Sequence, residues 1–289
     1  MSSYPALYVP ISPRPLQMSA GLKRFGTDFG QGERDRQFFQ LDRERAHYLA
    51  AKRAAPAERR MLLSGDAEAA LARAAALTWM RATLAEQAPV VLSEAARDSA
   101  ALDELDALAR ALQEDFCVMC AGEDYAGRAA LIDVRFPSGW RPERLAGADF
   151  RSLHAPVPGF PGDDRAAQSM VRSMIERGPF VRFVWTLSPD DRLDHHPDAP
   201  HRSSWEHTDR AWLRVERQIT VPLPAANAGL FLIRVYHYAL DQLSLDERER
   251  AITALAVMPE ELRRYKNLPT LAGLHAVLQR SARPSRASL

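Results

Sequence analysis

The stretch WLRVERQITVPLP, residues 212–224, alternates along its length. Leu213, Val215, Arg217 and Ile219 fall on one face of an extended strand, and Trp212, Arg214, Glu216 and Gln218 on the other. Neither face is cleanly polar. A long strand with charge on both faces must have partners for it, because removing one member of a buried ion pair costs about 3–5 kcal/mol. Glu216, two residues from Arg214, therefore points either to a pocket or to a cross-strand ion pair with Arg234 that fixes sheet register.

Four other β-prone runs accompany this strand. FCVMC (116–120) and AALIDVRF (129–136) flank the turn-like GEDYAGR and read as a hairpin. FVRFVWTLS (180–188) precedes the long strand, taken as 211–223, and GLFLIRVYHYAL (229–240) follows it after PAANA. Between the two groups lie short turns broken by proline and one helix, RAAQSMVRSMIERG (165–178). Its Met170, Val171, Met174 and Ile175 form an apolar stripe suited to packing on a sheet, ended by Gly178. Two strands, short helices, a longer helix and three antiparallel strands is the order of a PAS-like α+β domain: an antiparallel five-stranded sheet with crossing helices and a ligand between them.

The flanks differ. Residues 1 to about 35 are rich in Pro, Gly and Ser with scattered aromatics, the composition of an ordered arm draped over a domain. From there to residue 114 the chain turns to Ala, Leu, Arg and Glu with apolar spacings of three and four, which predicts three or four helices. SLDERERAITALAVMPEELRRYKNL and TLAGLHAVLQRS are helical again, with Ser244 as N-cap and Glu247 completing a capping box. The expected division is 1–114 for arm and helical region, 115–242 for the PAS-like core, and 243–289 for C-terminal helices and tail.

Charge excludes some partners. Thirty-eight Lys and Arg against thirty-seven Asp and Glu create no strong field toward nucleic acid or anionic lipid. MSSYPALYVPISPRP has no charged segment followed by an apolar one, and no eighteen apolar residues run together, so neither membrane nor export is expected and the reading is cytoplasmic. Cys117 and Cys120 form a lone CxxC on opposite faces of a strand, read as buried structural cysteines. No second pair could complete a zinc site or hold an iron–sulfur cluster, and no GxGxxG fingerprint is present.

LHAPVPGF, RFPSGWRPERL, AWLRVERQITVPLPAANAGLFLIRVYHYAL and MPEELRRYKNL together resemble the haem-dependent oxidative N-demethylase family, alpha subunit, over roughly residues 20–268. The resemblance implies a PAS-like fold that holds haem b. It also implies O2 activated at iron, a small secondary amine losing a methyl group as formaldehyde, and electrons from separate flavin and iron–sulfur reductase subunits. The chain departs from the family where members commonly read Asn-Trp and it has Val184-Trp185, and where they read TIRTY and it has LIRVY before His237 and Tyr238. Its pocket lining is therefore expected to differ.

Site residues follow from the residues and the resemblance together. His154, in the proline-stiffened HAPVPG, is the candidate axial ligand of the iron; the alternative is a histidine hydrogen-bonded to a loop carbonyl. Arg214, Arg217 and Arg234 are candidate bidentate partners of haem propionates. Glu216 would meet a cationic amine or steer protons toward the iron. Trp140 and Trp185 would line the porphyrin or fill core, and Tyr265 and Lys266 would clamp the arm or touch a propionate. His195, His196, His201 and His207, in DHHPDAPHRSSWEH, read as an exposed insertion, and His237 as core packing or support for a ligand. The expected function is a haem-dependent oxygenase subunit for oxidative N-dealkylation. The alternatives are a haem- or small-ligand-binding sensor without turnover and a structural partner without cofactor.

Overall fold

The alternating stretch becomes the twelve-residue strand Trp212–Leu223, flanked on both sides by antiparallel neighbours. The computed structural model describes residues 4–11, 21–122, 124–160, 162–200 and 203–281. Within them the strands are β1 (Lys23–Arg24), β2 (Leu62–Leu63), β3 (Asp115–Cys120), β4 (Arg128–Asp133), β5 (Phe180–Ser188), β6 (Trp212–Leu223) and β7 (Ala228–Ala239). The helices are α1 (Arg45–Ala54), α2 (Ala67–Gln87), α3 (Pro89–Ala95), α4 (Glu104–Ala111), α5 (Phe150–His154), α6 (Asp164–Glu176), α7 (Leu245–Ala256), α8 (Glu260–Tyr265) and α9 (Leu271–Ser281).

One antiparallel sheet, in the order β1-β5-β6-β7-β3-β4-β2, organises the chain. The five strands read from the sequence form its contiguous centre, but among the described residues the sheet has seven, not five. β1 and β2 extend the edges by two residues each, too short to carry a readable alternation.

The two faces are covered differently. On one, Ala72, Ala76 and Met80 of α2 and Leu108 of α4 pack on Phe116, Val118 and Leu232 in the larger core. A second core on the same face joins Leu213, Val215 and Tyr236 to Leu255 of α7 and Leu274 of α9, with Ala6, Tyr8 and Ile11 of the arm buried against it. Of the expected arm, residues 1–3 and 12–20 lie outside the described set. Arg217 and Arg234 stand between these two cores as register partners. Arg234 donates to Asp42 Oδ2 (2.7 Å) over the Tyr48 ring, and Arg217 to the Gln37 carbonyl (2.8 Å). Both arginines anchor the segment that crosses from the arm to α1.

On the other face α5 and α6 stand off the sheet. Asp149 and Asp163 cap them, accepting from the amides of Ser152 (2.6 Å) and Ala166 (2.7 Å). α6 can approach because of Gly127 in the β3–β4 turn, whose φ is +69°. A Cβ there would lie 2.8 Å from Val171 Cγ2 and 2.9 Å from Met119 Sδ. The capping box at Ser244 and Glu247 is formed as the sequence predicts. No described helix is long and apolar enough to cross a membrane.

Candidate functional site

Between the sheet and α5–α6 lies a cavity of about 1590 Å³, which extends past β5 to α8. It exceeds the roughly 300–1,000 Å³ of ordinary ligand pockets. Phe231 and Ile233 of β7 and Cys117 of β3 line its sheet side; Met170 and Met174, half-buried, face it from α6, while Val171 and Ile175 take the buried packing positions. Trp140 closes one flank with Leu145 and Leu153. Cys120 lies on the opposite face in the larger core, so the two free cysteines part as expected.

Glu216 opens into this cavity. Its Oε2 accepts from Gln218 Nε2 (2.9 Å), and Gln218 Oε1 accepts from Arg182 Nε (2.7 Å), a chain running across β6 onto β5. The ion pair of Glu216 with Arg234 does not form: Glu216 stands opposite Val235, and Arg234 is on the other face. Arg214 shares the cavity face, but its guanidinium donates to the carbonyls of Phe136 (2.7 Å) and Leu193 (3.0 Å) and lies 3.7 Å from Glu216 Oε1. It holds two loops in place before it holds any ligand.

His154, the last residue of α5, lines the cavity between Phe150 and Phe160, its ring stacked on Phe160 with centroids 5.1 Å apart. Burial pushes its pKa below the usual histidine value, which favours the neutral ring. Nδ1 lies 2.8 Å from the Phe150 carbonyl, a contact only a protonated nitrogen satisfies, so Nε2 keeps its lone pair and has no hydrogen-bond partner among the described residues. The hydrogen bond of the alternative reading forms, to a carbonyl within α5 rather than in a loop, and it leaves Nε2 available, since a metal-ligating histidine ordinarily donates its other N–H to a carbonyl or carboxylate.

The remaining candidates separate. Arg217 and Arg234 do not line the cavity: strand parity sends them to the helix-covered face. Trp185 touches the cavity rim, but its side chain is 7% exposed within the second core, so it is chiefly core. The histidine-rich segment is not the free insertion its composition predicts. His195 lines the cavity with Nε2 3.1 Å from Asp190 Oδ1, and His196, 1% exposed, meets Glu143 at 3.2 Å. Against the cost of burial, hydrogen bonds from His195 and Ser203 hold Asp190 well below the usual carboxylate range. His207 is exposed, and His201 lies outside the described residues.

Sequence reading passed over Arg182. Its register against Gln218 places it on the Glu216 face, a signal available only once β5 and β6 are paired. Lys266, just after α8, donates from Nζ to the Trp185 carbonyl (2.8 Å) and reaches the same space, with Tyr265 beside it. Burial pushes the pKa of both Arg182 and Lys266 down, and the charge of Glu216 opposes it. Among the described residues neither has a carboxylate at ion-pair distance. Among the described residues the cavity is lined by six Lys or Arg (residues 23, 141, 144, 182, 214 and 266) against two carboxylates, Asp190 and Glu216.

A family model described as haem-dependent oxidative N-demethylase, alpha subunit-like, matches residues 33–273. The chain belongs to this family. The match spans the sheet from β2 to β7, leaving out β1, with α1 to α8 and part of α9, and so includes most residues of the cavity. A haem is compatible with what the family's description meets here: apolar walls, a neutral histidine with one nitrogen uncommitted, and a surplus of cations for a group that carries two carboxylates.

Proposed function

We propose that this chain is the haem-binding, oxygen-using subunit of an enzyme that removes an N-methyl group from a small amine. The supporting observation is His154, neutral and with Nε2 uncommitted at the wall of a cavity large enough for a porphyrin. In this reading His154 would hold the iron of haem b, and Trp140, Phe231 and Met170, which line the cavity, would offer the porphyrin apolar contact. The centre β5-β6-β7-β3-β4 with α6 laid across it supports a PAS-like core.

Haem, when bound, supplies O2 activation and the oxidation of the N-methyl carbon. In the balanced reaction the N-methylamine, O2, two electrons and two protons give the demethylated amine, formaldehyde and water. The electrons require a partner reductase of the flavin and iron–sulfur type, in keeping with a family described as an alpha subunit. Glu216 meets the ammonium group that leaves its water at the cavity mouth and accepts its N–H, orienting the methyl carbon. Gln218 fixes the carboxylate in that direction by its 2.9 Å bond.

The test is spectroscopic first. Purified protein is expected to show a Soret band that is lost in His154→Ala. Formaldehyde release from N-methylamines with O2 and a reductant is expected to fall about 10²-fold or more in Glu216→Gln with the Soret band retained. Absence of haem from the wild-type protein would overturn the proposal. Haem without turnover of any amine would leave the sensor reading instead.

A further inference from the structure

The basic residues around Glu216 bear on which amine fits. Arg182, Arg214 and Lys266 each interact with the Glu216 charge, so one carboxylate faces three cations on this wall. Arg182 spends Nε on Gln218, Lys266 spends Nζ on a backbone carbonyl, and neither has a carboxylate at ion-pair distance among the described residues. An arginine does not relieve such a position by losing its proton, so its charge there calls for an anion.

Haem propionates can be met elsewhere in the cavity. Among the described residues that line it, Lys23 and Arg144 are exposed, Arg141 contacts Asp198 at 2.6 Å, and Arg214 donates to two carbonyls and lies 3.7 Å from Glu216. Arg182 and Lys266, half-buried beside Glu216, are the two that lack a carboxylate. A bare dialkylammonium entering beside Glu216 would add a further positive charge to a wall that already carries too many.

We infer that the amine this site takes carries a carboxylate of its own: an N-methylated α-amino acid, with N-methylglycine as the simplest case. The inference rests on the reading of the cavity as a haem and amine site. In such a molecule ammonium and carboxylate are separated by a single carbon. Glu216 and Arg182 offer the complementary pair at close range, bridged by one side chain, Gln218, through bonds of 2.9 and 2.7 Å. Lys266 then meets the same carboxylate from the side of α8.

The experiment compares N-methylglycine, dimethylamine and acetate as ligands of the purified full-length protein, by calorimetry and, where haem is bound, by perturbation of the Soret band. N-methylglycine is expected to bind at least about tenfold more tightly than either of the others, the scale of one charge-assisted hydrogen bond. That preference should fall toward parity in Arg182→Gln and in Lys266→Met, with the Soret band retained as evidence of an intact site. Should Arg182→Gln fail to fold, Lys266→Met carries the comparison. Equal or tighter binding of dimethylamine by the wild-type protein, or a preference untouched by both substitutions, would overturn the inference. A missing Soret band defeats the haem reading, while the calorimetric ratio still decides the substrate class.

Discussion

His237 stands on the cavity face of β7 opposite Arg214, with Nε2 3.4 Å from the guanidinium. Burial first, and then the Arg214 charge, hold its pKa well below the usual histidine value; His195, Asp190 and His47 are its other charged or titratable neighbours. The folded protein therefore keeps this ring neutral, whereas the unfolded chain protonates it near pH 6.5. Between those two pKa values the unfolded state binds the extra proton, so stability falls as pH falls and is fully present above the unfolded value. Urea midpoints are expected to drop between about pH 7.5 and about pH 5.5, with His237→Gln removing up to about 1.4 kcal/mol of that loss per pH unit. An identical pH profile in the variant would refute this. Arg217 and Arg234 illustrate the same sensitivity to surroundings: one residue further along each strand and they would face the cavity, whereas parity buries them against the segment that holds the arm.

Helix α6 forms the roof of the cavity, and its height above the sheet is set by one turn. Gly127, at φ +69°, lies under Val171 and beside Met119, and Ala167, Val171 and Ile175 complete the contact. Gly127→Ala introduces both a left-handed backbone penalty and a clash with Val171, so a loss of about 1–3 kcal/mol is expected in urea denaturation. A change below about 0.5 kcal/mol, the range of an ordinary surface substitution, would mean that the turn does not position α6. β5 has the complementary role. Among the described residues only its first two pair with β1, and further along the same strand, toward α8, Lys266 meets the Trp185 carbonyl. Arg182 and Lys266 line the cavity on this side.

At the scale of the whole molecule, one face of the sheet is packed with helices and the other is held open. A group that fills the cavity of about 1590 Å³ packs against its lining and so adds to stability as well as chemistry. Haem present at about a thousand times its dissociation constant should stabilise the fold by about 4 kcal/mol. Thermal melts with and without added haemin read this directly; a transition that does not move would count against a haem site. The sequence by itself determined the five central strands, a helical region of three or four helices before them, α6, the capping box at Ser244 and the face on which Glu216 stands, because each rests on a period or a local signal inside one segment. The tertiary structure alone decided that β1 and β2 complete the sheet, that Arg182 and Lys266 rather than Arg217 and Arg234 face the cavity, and that His195 turns inward to Asp190. Those outcomes depend on pairing register and on which layer covers which face, and register is a relation between segments that no single segment encodes.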